Sequence, residues 1–302
     1  MVASPLLVRP GGPHGQVHSQ TPAGLRERCP NWGYVGFELY RLAPGESLQA
    51  RTEAEEHLLV VVEGSMTLKI DDGDFGVVGK RRDIFTRQKG HAAYIPGGGH
   101  DWQLRAETAL EVAVCKAPWK GGSHPVRLIE PDDEPLEARG RGANTRYVNA
   151  ILMEDRDWAD SLLVTEVWTP GGNWSSYPSH KHDTDAFPDE TYLEETYYHR
   201  LNPGDLAWGY QRVYNDDLSL NENMAVHDRD LVLVPEGYHP CGAPHGFDMY
   251  YLNVMAGPMR KWRFTNDPRS EHIFYRDGGR KPGEWARRAK LADQSNKGHA
   301  MQ

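Results

Sequence analysis

Cysteine is scarce in this chain. Its 302 residues include only three cysteines, Cys29, Cys115 and Cys241, which lie far apart in the sequence. Disulfide frameworks and thiolate metal sites both need several cysteines at characteristic spacings. The sequence therefore argues against both, and we interpret Cys241 as a small buried residue.

Long hydrophobic runs are also missing. The apolar runs are only about the length of a strand, whereas a transmembrane helix needs about 20 apolar residues. The first ten residues lack the basic segment and the apolar core of a signal peptide. We therefore expect a cytoplasmic protein.

Positive charge is in deficit. The chain has 34 lysines and arginines against 43 aspartates and glutamates, which gives a net charge of −9. This balance does not favour nucleic acid or an anionic membrane as a partner. We expect a small-molecule substrate, and an acidic substrate would need a local arginine.

Turn-forming residues, by contrast, are abundant. The 31 glycines and 21 prolines favour many short strands joined by turns over long helices. The turn Tyr94-Ile-Pro-Gly-Gly-Gly-His100 in the first half resembles Val234-Pro-Glu-Gly-Tyr-His239 in the second half. The sequence therefore predicts a duplicated β-barrel.

Potential metal ligands concentrate in the second half. On a strand, His180 and His182 point the same way while Lys181 points to the opposite side. Glu195 begins a β-prone aromatic run, and His239 follows a short apolar strand and a Pro-Gly turn. Three imidazoles and one carboxylate suit Zn, Fe, Mn, Ni or Co, so the identity of the metal stays open. We interpret this set as an open, catalytic type of metal site.

The carboxylate ligand has two candidates, Glu194 and Glu195. We choose Glu195 because Glu195, Tyr197 and His199 form one alternating set on the strand. At the positions that correspond to these motifs, the first half offers His57 and His100 and has no His-x-His pair. We therefore expect the first barrel to be structural and to lack a metal set.

The ligand pattern resembles that of the cupin superfamily, with a His-x-His and Glu motif followed by a Pro-x-Gly and His motif. The resemblance implies an all-β bicupin made of two antiparallel jelly-roll β-barrels. The spacing departs from it, because twelve residues separate His182 from Glu195 and only Tyr238 separates the Pro-x-Gly turn from His239. We interpret residues 183–193, which contain Pro188 and four acids, as an inserted loop.

This reading divides the chain into four segments. We expect an N-terminal extension at 1–30, a barrel without a metal set at 31–125, a metal-binding barrel at 126–275 and a polar tail at 276–302. Barrels paired in this way commonly associate through edge strands, so a homo-oligomer is also expected.

Two longer phrases resemble a narrower family. Gly172-Asn-Trp-Ser-Ser-Tyr-Pro178 and Tyr251-Leu-Asn-Val-Met-Ala-Gly-Pro258 closely resemble the 5-deoxy-glucuronate isomerases of bacterial myo-inositol breakdown. The sequence departs from the family at Ser179 and His245, and neither is a candidate ligand. The resemblance implies aldose–ketose isomerisation of 5-deoxy-D-glucuronate to 5-dehydro-2-deoxy-D-gluconate, with one divalent metal as the only cofactor.

The implied reaction needs residues besides the metal ligands. A proton must move between neighbouring carbons, for which the candidates are Glu194, Asp183 and the hydroxyl of Tyr251. Each of these could instead be an ordinary surface acid or a barrel-filling aromatic residue.

The substrate carboxylate calls for a cation, and we choose Arg212 ahead of Arg260. Lys181 and Asn253 are further substrate-binding candidates, and each arginine could instead be a surface or interface residue. The basic, glycine-rich segment Arg139-Gly-Arg-Gly-Ala-Asn-Thr-Arg146 could hold an anion or tie the two domains together.

Two other functions are compatible with these residues. Three histidines and a glutamate around Fe(II) also support dioxygenase chemistry, and a cupin can bind a sugar acid without catalysis. The long family phrases make the isomerase our preferred hypothesis.

Overall fold

Nearly all the regular secondary structure of the chain is β-strand, as predicted. The structure is a computed structural model that describes residues 4–12 and 15–279, so most of the expected polar tail lies outside the described residues. No helix within that part of the chain is long and apolar enough to cross a membrane. The helices are α1 (Pro22–Leu25), α2 (Glu271–Arg276) and the 3-10 helices Ile84–Thr86, Gly142–Asn144 and Gly204–Leu206.

The strands fall into two groups along the chain. Those of the first half are β1 (Leu7–Val8), β2 (Gln16–Gln20), β3 (Gly36–Leu42), β4 (Ser47–Arg51), β5 (Glu55–Glu63), β6 (Met66–Ile70), β7 (Gly73–Val78), β8 (Ala92–Ile95), β9 (Asp101–Ala106), β10 (Leu110–Pro118) and β11 (Arg127–Ile129). Those of the second half are β12 (Glu137–Arg139), β13 (Arg146–Leu152), β14 (Leu163–Thr169), β15 (Trp174–Ser175), β16 (His180–Lys181), β17 (Glu194–Asn202), β18 (Gly209–Tyr214), β19 (Asn221–Val226), β20 (Leu231–Val234), β21 (Cys241–Gly242), β22 (Asp248–Ala256) and β23 (Thr265–Asn266).

The two halves repeat one strand order. In the first barrel a six-stranded sheet, β11-β8-β5-β10-β3-β2, faces a four-stranded sheet, β4-β9-β6-β7. In the second barrel a seven-stranded sheet, β1-β20-β17-β22-β14-β13-β12, faces a four-stranded sheet, β15-β21-β18-β19, and β16 pairs with β23. All strand pairs are antiparallel, so the predicted duplicated barrel of antiparallel strands is present.

The large sheets are buried on both faces. In β5, alternate residues Leu58, Val60 and Val62 belong to the cluster that also contains apolar residues of the second barrel. The intervening residues Leu59 and Val61 belong to the interior cluster of the first barrel. This double burial explains why β5 reads as a continuous apolar run instead of an alternating one.

One edge strand crosses between the barrels. Strand β1, near the N-terminus, pairs with β20 of the second barrel, with Leu7 opposite Val232. Strand β11, which follows the first barrel, pairs back onto β8 of that barrel, with Leu128 opposite Ala93. The segment before residue 31 is therefore integrated into the sheets, because β1 and β2 each complete the edge of a barrel.

Two glutamates tie the barrels together in a reciprocal way. The carboxylate of Glu56 in the first barrel accepts hydrogen bonds from the backbone N–H groups of residues 160–162, at 2.7–2.8 Å, just before β14. The carboxylate of Glu194 in the second barrel accepts from the N–H groups of residues 33–35, at 2.6–3.0 Å, just before β3. Each barrel thus fixes the segment that enters a large-sheet strand of the other, β14 in the second barrel and β3 in the first.

Buried ion pairs also cross the interface. Arg81 pairs with Glu166 at 2.6 Å, and both side chains are almost completely buried. Arg200 pairs with Glu111 at 2.7 Å, and the hydroxyl of Tyr198 donates to the same carboxylate. Removing one partner of such a pair would leave an uncompensated buried charge, so these contacts specify how the barrels dock.

Candidate metal centre

Three histidines converge inside the second barrel. His180 lies on β16, His182 follows that strand, and His239 lies in the turn between β20 and β21. Their ligand atoms all lie within 4.8 Å of one another, and His182 and His239 are buried. This is the one cluster of three or more potential metal ligands in residues 4–12 and 15–279.

Backbone carbonyls orient two of these imidazoles. His182 Nδ1 donates to the carbonyl of Leu193 at 3.0 Å, and His239 Nδ1 donates to the carbonyl of Gly237 at 2.8 Å. In this tautomer Nε2 carries the lone pair that binds a metal. The Nε2 atom of His239 is buried and makes no well-directed hydrogen bond to any residue that the structure describes, although a carboxylate oxygen of Glu195 lies 3.0 Å away, and this fits a metal ligand.

Glu195 lies beside two of these histidines. Its Oε2 lies 3.1 Å from His182 Nε2 and 3.0 Å from His239 Nε2. Its Oε1 accepts a hydrogen bond from the side-chain amide of Asn253. Although burial alone would raise it, the pKa of the Glu195 carboxyl lies well below its usual range because His239 and His182 adjoin it. The carboxylate is therefore ionised and free to bind a cation.

The histidines differ in their electrostatics. Burial, reinforced by His239 and His182, lowers the pKa of His180 well below its ordinary value, which keeps this imidazole neutral. Burial also opposes the charged form of His182, but hydrogen bonding to Glu195 raises the pKa of His182. A neutral imidazole is the form that binds a metal ion, so a proton and a metal ion would compete for His182.

Local hydrogen bonds bring Glu195 close to His182 despite the long connection between them. The backbone N–H of Leu193 donates to the carbonyl of His182 at 2.9 Å, opposite the bond from His182 Nδ1 to Leu193. Within the connection, the carboxylate of Glu190 accepts from the N–H groups of Asp183 and Thr184 at 2.9 and 3.0 Å. Residues 183–193 therefore form a compact loop, after which the chain reaches Glu195 beside the histidines.

The Pro-x-Gly turn positions His239. Gly237 has a positive φ of 85°, and a Cβ at this position would lie 2.5 Å from the carbonyl oxygen of Tyr214. Only glycine fits such a conformation without strain. The tight turn also directs the Gly237 carbonyl towards His239 Nδ1.

A cavity opens beside the histidines. It is lined by side chains of the barrel interior, in which polar and apolar groups are mixed: Arg139, Arg146, Val148, Met153, Thr165, Val167, Ser176, His180, Glu195, Tyr197, Tyr251, Asn253, Met255 and Trp262. Alternation along β17 and β22 explains the set, because Glu195 and Tyr197 face inward, as do Tyr251 and Asn253. A small polar molecule in this cavity would lie against the ligand set.

The tyrosines of the cavity form a hydroxyl network. Tyr251 bonds to the hydroxyl of Ser175 at 2.8 Å, and Tyr197 bonds to that of Ser176 at 2.8 Å. Burial raises the pKa of Tyr251, and burial together with Glu195 raises the pKa of Tyr197. Both phenols are therefore protonated, which does not fit the hypothesis that Tyr251 acts as an ionised base.

Two proton-transfer candidates lie away from the cavity. Glu194 points from the opposite face of β17, and its carboxylate is occupied by the amides of residues 33–35. Asp183 accepts a hydrogen bond from Gly237 at 2.9 Å and pairs with Lys181 at 3.2 Å, outside the cavity lining. These contacts occupy both carboxylates outside the cavity and do not favour either acid for proton transfer.

The predicted cations are also placed elsewhere. Arg212 is bonded to Asn221 at 2.9 Å on the exposed sheet. Arg260 donates to the backbone carbonyls of residues 153, 156 and 162 at 2.7–2.8 Å. Lys181 pairs with Asp216 at 3.0 Å, on the side of its strand opposite the histidines. None of the three borders the cavity, whereas the fourth substrate-binding candidate, Asn253, does.

Sequence reasoning missed several cavity residues as site candidates. Arg139 and Arg146 belong to the basic segment for which an anion site and an interdomain tie were both open, and the structure places them in the cavity. Trp262 and Ser176 lie in loops, where alternation gives no signal. Tyr197 carried such a signal, because it lies two residues after Glu195 on the same strand face.

Comparisons with known proteins agree with this arrangement. The family model described as the KduI/IolB family matches residues 6–273. A 5-deoxy-glucuronate isomerase of Geobacillus kaustophilus (strain HTA426) is 47% identical over 260 residues, which cover 86% of this chain and 91% of that protein. The match to the family model begins before residue 31, where the sequence motifs were not recognised.

Solved structures give the same picture. The crystal structure of an IolB-like protein from Salmonella typhimurium LT2 superposes with a TM-score of 0.84 at 46% identity, covering 89% of this chain and 98% of that chain. Oxalate decarboxylase of Bacillus subtilis superposes with a TM-score of 0.58 at 12% identity, covering 88% and 79% of the two chains. The second likeness concerns the fold alone. This chain belongs to the KduI/IolB family, which confirms the predicted isomerase family resemblance.

Proposed function

We propose that this protein is a metal-dependent aldose–ketose isomerase that converts 5-deoxy-D-glucuronate to 5-dehydro-2-deoxy-D-gluconate. The observation that carries the proposal is a cluster of three histidines with Glu195 beside it, of which His180 and Glu195 line a cavity, in a member of the KduI/IolB family. The curated relatives of this chain are named for the same activity.

His180, His182, His239 and Glu195 would hold one divalent ion, of Zn, Mn, Fe, Ni or Co. When bound, the ion supplies a Lewis acid that polarises the carbonyl of the open-chain sugar. Asn253 keeps the carboxylate of Glu195 oriented by donating to Oε1, which leaves Oε2 beside the imidazoles.

Tyr251 is the group we assign to proton movement at the sugar oxygens. Its hydroxyl borders the cavity, is protonated because it is buried, and is held by Ser175. A protonated phenol donates its proton to the carbonyl oxygen as that oxygen gains negative charge and takes a proton back from the neighbouring sugar hydroxyl, while Ser175 orients the phenol. The buried barrel walls limit the access of water to this exchange.

The test is conversion of 5-deoxy-D-glucuronate by purified, metal-quantified protein, followed by proton NMR in deuterated water. We expect the ketose product from the wild type and none from a His180→Ala, His182→Ala double variant. Arg212→Gln, on the exposed sheet, is the matched control and should retain activity. Full metal occupancy without product would contradict the proposal, and oxygen consumption would then support a dioxygenase.

The proposal includes a cytoplasmic homo-oligomer. Leu206 and Trp208, which lie between β17 and β18, are 80% and 44% exposed. Large exposed apolar side chains near each other in the sequence are candidates for a contact surface. Light scattering of the purified protein should give a mass that is a multiple of 34.1 kDa, and a monomer mass would contradict this part.

A further inference from the structure

The cationic end of the cavity is formed by a β-hairpin. Strands β12 and β13 place Arg139 directly opposite Arg146. Like charges directly opposite each other on neighbouring strands are destabilising. Both arginines nevertheless line the cavity that contains His180 and Glu195. An anion between them would relieve this repulsion.

Arg146 is the less compensated of the two. Its Nη1 donates to the carbonyls of Asn144 and Tyr177 at 3.2 and 3.4 Å, and it forms no ion pair with any residue that the structure describes. Arg139, by contrast, pairs with Glu137 at 2.7 Å. Burial lowers the pKa of Arg146, yet a guanidinium stays charged in proteins. A partly buried cation without a counter-ion is costly unless a ligand supplies one.

The cavity adds another donor near the arginines. The guanidinium of Arg139 lies over the ring of Trp262 at 5.7 Å from its centroid, and Trp262 borders the same cavity. The indole Nε1–H of Trp262 is buried and has no hydrogen-bond partner among the described residues. Two guanidinium groups and an indole N–H are all donors, and this is the chemistry that a carboxylate requires.

The hairpin is held firmly in place. Asn144 donates to Asp277 at 3.1 Å, and the side chain of Asn173 donates to the carbonyl of Thr145 at 2.7 Å. Asn173 belongs to the phrase Gly172-Asn-Trp-Ser-Ser-Tyr-Pro178, which leads directly towards His180. The loops that carry the arginines and the histidines are therefore connected, and their relative position is fixed.

We propose that Arg146, assisted by Arg139, binds the carboxylate of the sugar acid and makes the enzyme specific for uronates over neutral aldoses. The inference rests on the proposed function, because it assigns one end of the cavity to the carboxylate and the metal end to the carbonyl. It replaces Arg212 and Arg260 in that role, since both lie outside the cavity.

The test compares 5-deoxy-D-glucuronate with 5-deoxy-D-glucose, which has a hydroxymethyl group in place of the carboxylate. For Arg146→Gln we expect kcat/KM on the uronate to fall about 100-fold, mainly through KM, as loss of a charge-assisted bidentate contact predicts. Activity on the neutral sugar should stay within about twofold of the wild type, because the lost contact is absent there. Arg146→Lys should give an intermediate loss, since lysine keeps the charge but not the forked geometry.

Arg212→Gln is the control and should leave both substrates unaffected. An equal loss on both sugars in Arg146→Gln, or no loss on the uronate, would overturn the inference. The melting temperature without ligand gives a second criterion. We expect Arg146→Gln to melt at or above the wild-type temperature, because removing one of two opposed charges relieves repulsion. A melting temperature lower by more than about 3 °C would indicate a structural role and contradict the proposal.

Binding without turnover separates this inference from the proposed function. D-glucuronate should raise the melting temperature of the wild type but not that of Arg146→Gln, and D-glucose should raise neither. If the wild type binds D-glucuronate in this way yet isomerises nothing, the proposed function fails and the carboxylate site stands. If the wild type isomerises the uronate and Arg146→Gln binds D-glucuronate equally well, the carboxylate site fails and the function stands.

Discussion

The two barrels share one strand order but differ in what fills them. In the first barrel His57 on β5 lies opposite Ile95 on β8, and in the second Glu195 on β17 lies opposite Val234 on β20. Ile95 and Val234 both directly precede the proline of their turns. His57 therefore occupies the first-barrel position that the proposed metal ligand Glu195 occupies in the second.

The surroundings of these two positions explain the difference. His57 Nδ1 accepts a hydrogen bond from Trp102 Nε1 at 3.1 Å, and the interior around them is filled by residues such as Leu59, Val61 and Leu104. His100, the sequence counterpart of His239, lies partly exposed and bonds to Asp71 at 2.6 Å. The first barrel thus has an apolar interior where the second has ligands and a cavity.

The preceding residue on each strand, by contrast, has the same role in both barrels. Glu56 and Glu194, each one residue before these positions, both accept three backbone N–H groups from the other barrel. The outward face of both strands thus holds the two barrels together, whereas only the second barrel carries candidate metal ligands on the inward face of its strand. Structural and chemical roles separate by a single residue because strand side chains alternate.

The largest expected contrast is between His239 and His100. His239→Ala should lose the metal and lower kcat/KM by about 1,000-fold or more, because the loss of a Lewis acid removes several kcal/mol of transition-state stabilisation. His100→Ala removes the matching residue of the first barrel and should retain both metal and activity. Metal analysis and the isomerase assay measure both effects, and an equal loss in the two variants would erase the contrast.

The interface glutamates should give a smaller effect on a different property. Glu56→Gln and Glu194→Gln should each lower the free energy of unfolding by about 3 kcal/mol, because each weakens three charge-assisted hydrogen bonds to buried amides. The metal content of the folded protein should not change in either variant. Urea unfolding and metal analysis check this. Loss of metal from Glu194→Gln with normal stability would show that Glu194 acts at the site after all.

The smallest contrast concerns pH. Burial lowers the pKa of His57 to about 3, so the unfolded chain takes up a proton below about pH 6.5 while the folded chain does not. The contribution of His57 to stability is therefore complete above pH 6.5 and is lost as the pH falls from 6.5 towards 3. Between pH 7 and pH 5 the wild type should lose about 2 kcal/mol through this group.

His57→Gln keeps an acceptor for Trp102 but does not titrate. Its urea midpoint should depend less on pH over the same interval, while the other buried histidines contribute equally to both proteins. Parallel pH profiles for the two proteins would show that His57 is not buried in its neutral form.

The alternation of side chains along single strands predicted much of the site, whereas contacts between distant parts of the chain determined the rest. The choice of Glu195 over Glu194, and the shared face of Tyr251 and Asn253, needed only the two-residue period of a strand. The partners of Glu194 lie about 160 residues earlier in the chain, so its interface role was invisible in the sequence. Which arginine faces the cavity depended on the register of the β12 and β13 hairpin, which the segment alone left open.

Most of the fold could also be predicted from the sequence. The repeated turn around His100 and His239 predicted the duplication, and the apolar runs predicted the strands. The pairing of β1 with the second barrel and of β11 with the first was not predicted, because two- and three-residue strands carry no periodic signal.

The most direct measurement is titration of metal-free protein with a divalent metal while isomerase activity on 5-deoxy-D-glucuronate is followed. If only the second barrel holds metal ligands, activity should rise linearly with added metal and stop rising at one metal ion per chain. Full activity in the metal-free protein, or a break at two ions per chain, would contradict the account.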